Sequence, residues 1–162
     1  MHGALMEFWN AQNAKEFDYR TKSSGRIEAI KRVAEIAKPH LSKKGTISID
    51  LGCGTGLFAE VSGFREILGV DFSPSLLALA KKRMNTVWEK DIFDLDLKDN
   101  SVDNVVSLFV MDDYPSEKKR AFFRQVFTFL KPGGRFFFTA YSPNDERMGR
   151  LREVIAAKAL KK

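Results

Sequence analysis

Ser48-Ile49-Asp50-Leu51-Gly52-Cys53-Gly54-Thr55-Gly56 joins a strand-like alternation directly to three glycines spaced two apart. Residues 46–50 (Thr-Ile-Ser-Ile-Asp) alternate as a strand does, and residue 57 begins an apolar stretch that reads as a helix. Glycines at such a junction let the backbone turn tightly and approach a ligand with no Cβ in the way. Residues 66–71 read as a second strand ending at Asp71, 21 residues after Asp50. A carboxylate there can accept hydrogen bonds from both hydroxyls of a ribose.

Two nucleoside ligands compete for such a site, a nicotinamide dinucleotide and S-adenosylmethionine (SAM). A dinucleotide loop has the spacing G-x-G-x-x-G, which from Gly52 and Gly54 requires a glycine at 57, and that residue is Leu57. Asp50, immediately before the loop, would repel a pyrophosphate. SAM has no phosphate, and its ammonium and sulfonium groups are attracted by nearby negative charge. On charge, SAM is the better fit.

Residues 26–38 place Ile27, Ile30, Val33, Ala34 and Ala37 at helical spacing, and Pro39 is expected to end that helix. Ser73-Pro74 supplies an N-cap and a first-turn proline for a helix through residue 84. Residues 86–90 and 102–110 read as third and fourth strands, and 135–141 as a fifth. Between the last two, Ser116 is expected to cap a helix whose Phe122, Val126, Phe129 and Leu130 share one face. Strands alternating with helices imply an α/β, three-layer Rossmann-like fold with parallel sheet order 3-2-1-4-5. One domain over residues 1–162 is expected, with an N-terminal helical segment (1–44), the core (45–141) and a C-terminal stretch (142–162) carrying a basic helix over 146–160.

The glycine run resembles the first motif of class I SAM-dependent methyltransferases. Gly69-Val70-Asp71-Phe72-Ser73 resembles that family's second-strand motif, and Lys90-Asp91-Ile92 its acidic third-strand end. Residues 99–106 (Asp-Asn-Ser-Val-Asp-Asn-Val-Val) resemble its approach to strand four, and residues 130–136 (Leu-Lys-Pro-Gly-Gly-Arg-Phe) its turn into strand five. The resemblance implies that Asp50, Gly52, Cys53, Gly54 and Gly56 surround the methionine part of SAM, with Leu108 and Phe109 flanking it. It implies that Asp71 holds the ribose, Phe72 lies against the adenine, Asp91 accepts from the adenine amino group, and the Ile92 amide meets a ring nitrogen. In relatives a leading segment folds over the cofactor, which makes Tyr19 and Arg20 candidates for the SAM carboxylate. Two strands usually follow the fifth in this family. The basic helix expected over 146–160 leaves no room for both, so strands six and seven are expected to be missing, as in a shortened or minimal member. Strand five would then have an open edge, and a homodimer through that edge or a larger parent protein is expected, with the 146–160 helix folding back across it as the alternative.

Asp112 and Asp113 follow strand four, at the carboxyl edge where open α/β sheets bind ligands. A carboxylate pair can orient an amine or act as a base, so both are candidate catalytic residues; capping of the next loop is the alternative for Asp112. The resemblance implies methyl transfer, and a small-molecule acceptor is the leading expectation. An RNA or protein acceptor, or a SAM-binding domain without transfer activity, stands as the alternative.

Composition bounds these readings. A chain of 162 residues, 44% hydrophobic and 30% charged, is long enough for one globular domain with a core. No run approaches the ~18 apolar residues of a membrane span, and the first seven residues do not read as a secretory signal, so a cytoplasmic protein is expected. One cysteine, Cys53, and two histidines, His2 and His40, supply no metal constellation. The net charge of +6 lies in the flanks: residues 1–44 hold nine Lys/Arg against five Asp/Glu, and residues 142–162 hold six against three. Such flanks suit a nucleic-acid partner, but a solvated lysine-rich surface is the commoner origin of such charge and is the expectation here.

Overall fold

A computed structural model describes residues 11–112, 114–141 and 151–157. Two helices, α1 (Ala11–Ser23) and α2 (Arg26–Leu41), precede the sheet. They are followed by β1 (Ser48–Leu51), α3 (Leu57–Ser62), β2 (Leu68–Asp71), α4 (Pro74–Ala80) and β3 (Thr86–Glu89). A 3-10 turn (Ile92–Asp94) leads to β4 (Val102–Ser107), α5 (Ser116–Phe129), β5 (Leu130–Tyr141) and β6 (Leu151–Ala157). The sheet order is β3-β2-β1-β4-β5-β6. The first five strands are parallel and take the expected order 3-2-1-4-5.

Alternation along the central strands builds a core on each face, as a sheet covered on both sides requires. Val106 and Phe137 face Ile30, Val33, Ala34, Ala37 and Leu41 of α2, together with Leu57 and Phe58 of α3. Val105 and Phe136, one residue earlier on each strand, face Phe122, Val126 and Phe129 of α5. The α2 residues recur every three or four positions, so one stripe of the helix is buried.

Several local expectations need correction. Pro39 does not end α2. It sits in the last turn, where Leu41 is anchored in the core and the lost bond falls to the exposed Glu35 carbonyl. Ser116 is the first helical residue of α5 rather than its cap, and Pro115 occupies the cap position in extended conformation. Ser73 does cap α4, its hydroxyl accepting from the Leu76 amide at 3.3 Å. The fourth strand stops at Ser107 instead of running to residue 110, because the chain turns at Phe109, whose φ is +60°. The Phe109 amide there donates to Thr139 Oγ1 at 2.7 Å.

The largest correction lies at the end of the sheet. Leu151–Ala157 is not a helix but a strand antiparallel to β5, with Arg135 paired to Ala157 and Tyr141 to Leu151. Leu151, Val154 and Ile155 fit a helical stripe, but Val and Ile are β-branched, and the open edge of β5 offers a full ladder of backbone partners. One of the two strands expected to be missing is therefore present. The homodimer expected through the strand-five edge loses its premise, because β6 occupies that edge.

Candidate cofactor cleft

Where β1, β2 and β4 end, a cleft of about 440 Å3 opens, walled on its outer side by α1 and α2. Its volume lies within the roughly 300 to 1,000 Å3 of small-molecule sites. Order reverses at β1, which pairs with β2 on one side and β4 on the other, and ligands collect at such a switch point.

Gly52 enters the loop with φ +75°, and a Cβ there would lie 2.4 Å from Val110 Cγ2, so only glycine lets the segment after β4 close over it. Gly54 also has positive φ (+55°), and its amide donates to Asp71 Oδ2 at 2.9 Å. The other Asp71 oxygen accepts from the Ser73 amide, also at 2.9 Å. The carboxylate at the end of β2 thus organises the glycine loop while lining the cleft. Asp50 lines it too and is almost fully buried. Burial, and then the charge of Asp71, push the Asp50 carboxyl up to about 8. Burial also raises Asp71, against the lowering by the Ser73 and Gly54 amides. Two buried carboxyls at the floor of the cleft favour a cationic ligand over an anionic one.

Cys53, Phe72, Asp91, Ile92, Leu108 and Phe109 line the same cleft, and so does Asp112. Asp91 caps the 3-10 turn, its Oδ1 accepting from the Phe93 amide at 3.0 Å. Burial raises the Cys53 thiol well above its ordinary value, which suits a packing residue rather than a nucleophile. Asp113 lies outside the described residues.

Three candidates do not reach the cleft. Gly56 opens α3 on the far side, where a Cβ would meet Ala80 and Met84. Tyr19 is 76% exposed, and Arg20 pairs with Glu16 at 2.6 Å along the outer face of α1. Phe17 and Thr21 of the same helix, and Arg26 at the start of α2, face the cleft instead. The Arg26 guanidinium sits 5.2 Å from the centre of the Phe109 ring.

Beside the cleft, and sharing Asp112 with it, lies a recess of about 140 Å3 walled by Phe122, Phe123, Phe136, Phe138 and Lys119. Lys119 Nζ donates to the Asp112 carbonyl at 2.9 Å. Tyr114 lines the cleft near this junction, and burial followed by the charges of Asp91 and Asp71 raises its phenol above the ordinary value. It is therefore a hydrogen-bond donor at neutral pH. Among the described residues no three His, Cys, Asp or Glu side chains gather as a metal site, and no helix is long and apolar enough to cross a membrane.

A profile described as "Methyltransferase domain" matches residues 49–138. "Probable tRNA methyltransferase 9B" of Mus musculus is 27% identical over 101 residues, which cover 62% of this chain and 23% of that protein. The demethylmenaquinone methyltransferase of Lactiplantibacillus plantarum is 30% identical over 128 residues, covering 71% of this chain and 53% of the relative. The chain thus spans between about a quarter and about half of these relatives' lengths. The solved magnesium protoporphyrin IX methyltransferase of Synechocystis PCC 6803, with SAM bound, has a TM-score of 0.75 at 16% identity over 97% of this chain and 96% of that one, a likeness of fold. Matched over more than half its length, with its sheet in the same order, the chain belongs to the class I SAM-dependent methyltransferase family, whose cofactor is SAM.

Proposed function

We propose that this chain transfers a methyl group from SAM to a small-molecule acceptor bound beside Asp112. The observation that carries the cofactor half is the buried pair Asp50 and Asp71 beneath a glycine loop, two carboxyls whose ionised form a sulfonium and an ammonium would favour. Asp71 would hold the ribose, Phe72 the adenine face, and Asp91 with the Ile92 amide the adenine edge. Gly52 and Gly54 would pass under the methionine part, with Leu108 and Phe109 beside it. Arg26, in place of Arg20, is the cation that would meet the carboxylate.

SAM supplies an electrophilic methyl: the carbon–sulfur bond breaks as the acceptor's lone pair forms the new bond, and the departing pair neutralises the sulfur. The protein's part is alignment, which can supply up to about 7–11 kcal/mol in favourable cases. Asp112 sits where it can orient the acceptor or take its proton, and Tyr114 can donate to it. The aromatic recess offers room for a compact, apolar acceptor. A second reading, an RNA or protein acceptor, is favoured by the basic flanks and by the tRNA methyltransferase relative.

Calorimetric titration with SAM and S-adenosylhomocysteine tests the cofactor assignment. Methyl-³H transfer to metabolite, tRNA and protein pools then tests the acceptor. Label in the metabolite pool supports the first reading, and label only in tRNA or protein replaces it with the second. SAM binding with no transfer to any pool would leave a binding domain.

A further inference from the structure

The floor of the SAM cleft is fixed to the sheet, but part of its outer wall is a separate helix, α1, and a part-buried guanidinium helps to fasten it. Arg83, just after α4, reaches three elements at once. Its Nη2 donates to Asp18 Oδ2 of α1 at 2.5 Å, and its Nη1 to the Thr55 carbonyl of the glycine loop at 3.0 Å. Its Nε pairs with Glu60 of α3. Thr55, fully buried in the loop, closes the circuit by donating its hydroxyl to Asp18 Oδ1 at 2.6 Å. The Arg83 and Asp18 side chains are only 20% and 19% exposed, so water screens this pairing less than a surface ion pair.

Asp18 directly follows Phe17, and Thr21 lies one turn beyond. Both neighbours line the cleft, and the Phe17 ring would sit 3.7 Å from a Cβ at Gly54. Arg83 and Asp18 do not line it. We infer that Arg83 and Asp18 form a latch that holds α1 closed over bound SAM, acting on the cofactor through Phe17 and Thr21 without touching it. They are positioning residues, and the inference rests on the SAM reading of the cleft.

Charge accounting makes the latch asymmetric. Removing Arg83 takes away the cation that Asp18 and Glu60 share, leaving Asp18 with the neutral Thr55 hydroxyl and Glu60 with Lys22 at 3.7 Å. Removing the Asp18 charge leaves Arg83 still held by Glu60 and Thr55. Arg83→Ala should therefore loosen α1 more than Asp18→Asn does. The double variant should resemble Arg83→Ala alone, because both changes break one connection.

The test combines hydrogen exchange of the apo protein with SAM titration and dissociation kinetics for Arg83→Ala, Arg83→Lys, Asp18→Asn and the double variant. In Arg83→Ala, exchange should rise across residues 11–23 and stay unchanged in β1, β4 and β5. SAM affinity should fall about tenfold, the factor expected if the closed form drops to about a tenth of the population, with the loss in the dissociation rate. Arg83→Lys, which keeps the charge but not the fork, should recover part of it. Unchanged SAM affinity or unchanged α1 exchange in folded Arg83→Ala would overturn the latch. So would losses that add in the double variant, or core strands losing protection together with α1. Wild-type protein that bound no SAM would instead overturn the cofactor reading, and the exchange pattern of α1 would still decide whether Arg83 holds the helix.

Discussion

Replacing Asp71 is the sharpest test of the cleft, and the choice of replacement matters. Its two oxygens accept the Gly54 and Ser73 amides at 2.9 Å each. Alanine would strand both amides at about 1–3 kcal/mol apiece, roughly 2–6 together. Against a typical total stability of about 5–15 kcal/mol, loss of binding could then be loss of fold. Asparagine keeps one acceptor oxygen, so one amide is stranded, and it removes a buried charge whose desolvation opposes folding. Asp71→Asn should therefore cost about 1–3 kcal/mol or less, a fall of a few degrees in Tm. Binding should suffer more. A ribose hydroxyl bonded to a charged acceptor contributes about 1.5–3 kcal/mol, so the SAM Kd should rise about ten- to a hundredfold for one such bond. Calorimetric titration with SAM, beside scanning calorimetry of the apo variant, separates the two effects. A folded Asp71→Asn protein that binds SAM as tightly as the wild type would remove Asp71 from the site.

Gly54→Val puts a β-branched residue at φ +55°, and its methyls enter the space between the loop and Phe17. SAM binding should weaken by about tenfold or more for a strain of about 1–2 kcal/mol; a structure of the variant with SAM bound normally would reject the loop assignment. Asp50 holds its proton to about pH 8 in the fold but releases it near 3.8 when unfolded, so apo stability should fall as pH rises between those values. Asp50→Asn should flatten that slope, as melts across the range would show, and equal slopes in both proteins would refute it. SAM affinity should rise with pH toward 8, because the cation favours the ionised carboxyl. Asp112→Asn should lower kcat far more than it alters the SAM Kd, by about 10²–10⁴ if it takes a proton from the acceptor; an unaltered kcat excludes that role. Arg26→Ala should raise the SAM Kd about tenfold and change the affinity for a SAM analogue lacking the carboxylate far less, and equal losses for both ligands would place Arg26 elsewhere.

The order of the parallel strands was legible because several signals coincide: alternation in residues 46–50, a glycine junction, a second acidic strand end, and helical stripes between. Other positions were less legible. Tyr19 and Arg20 have the chemistry of a carboxylate partner, whereas helix geometry puts Ala14, Phe17 and Thr21, at i, i+3 and i+7, on one inward face. That spacing was present in the sequence. Gly56 belongs to the same run as Gly52 and Gly54, and spacing alone does not say which glycine meets a ligand and which meets a helix. The strand at Leu151–Ala157 could not be told from a helix by periodicity, since seven residues with apolar positions at 151, 154 and 155 suit either. Backbone partners on β5, distant from any local signal, decided it.

Phe109 adopts a left-handed conformation that bulky residues seldom accept. A residue so held stores about 1–3 kcal/mol, and it persists only where its surroundings leave it no alternative. Here the Thr139 hydroxyl fixes its amide and the Arg26 guanidinium covers its ring. Glycine or asparagine would relax that peptide, so a chain shaped for stability alone would carry one of them at position 109. With phenylalanine there, the backbone carries a cost that stability alone does not explain, and its ring becomes part of the cleft wall.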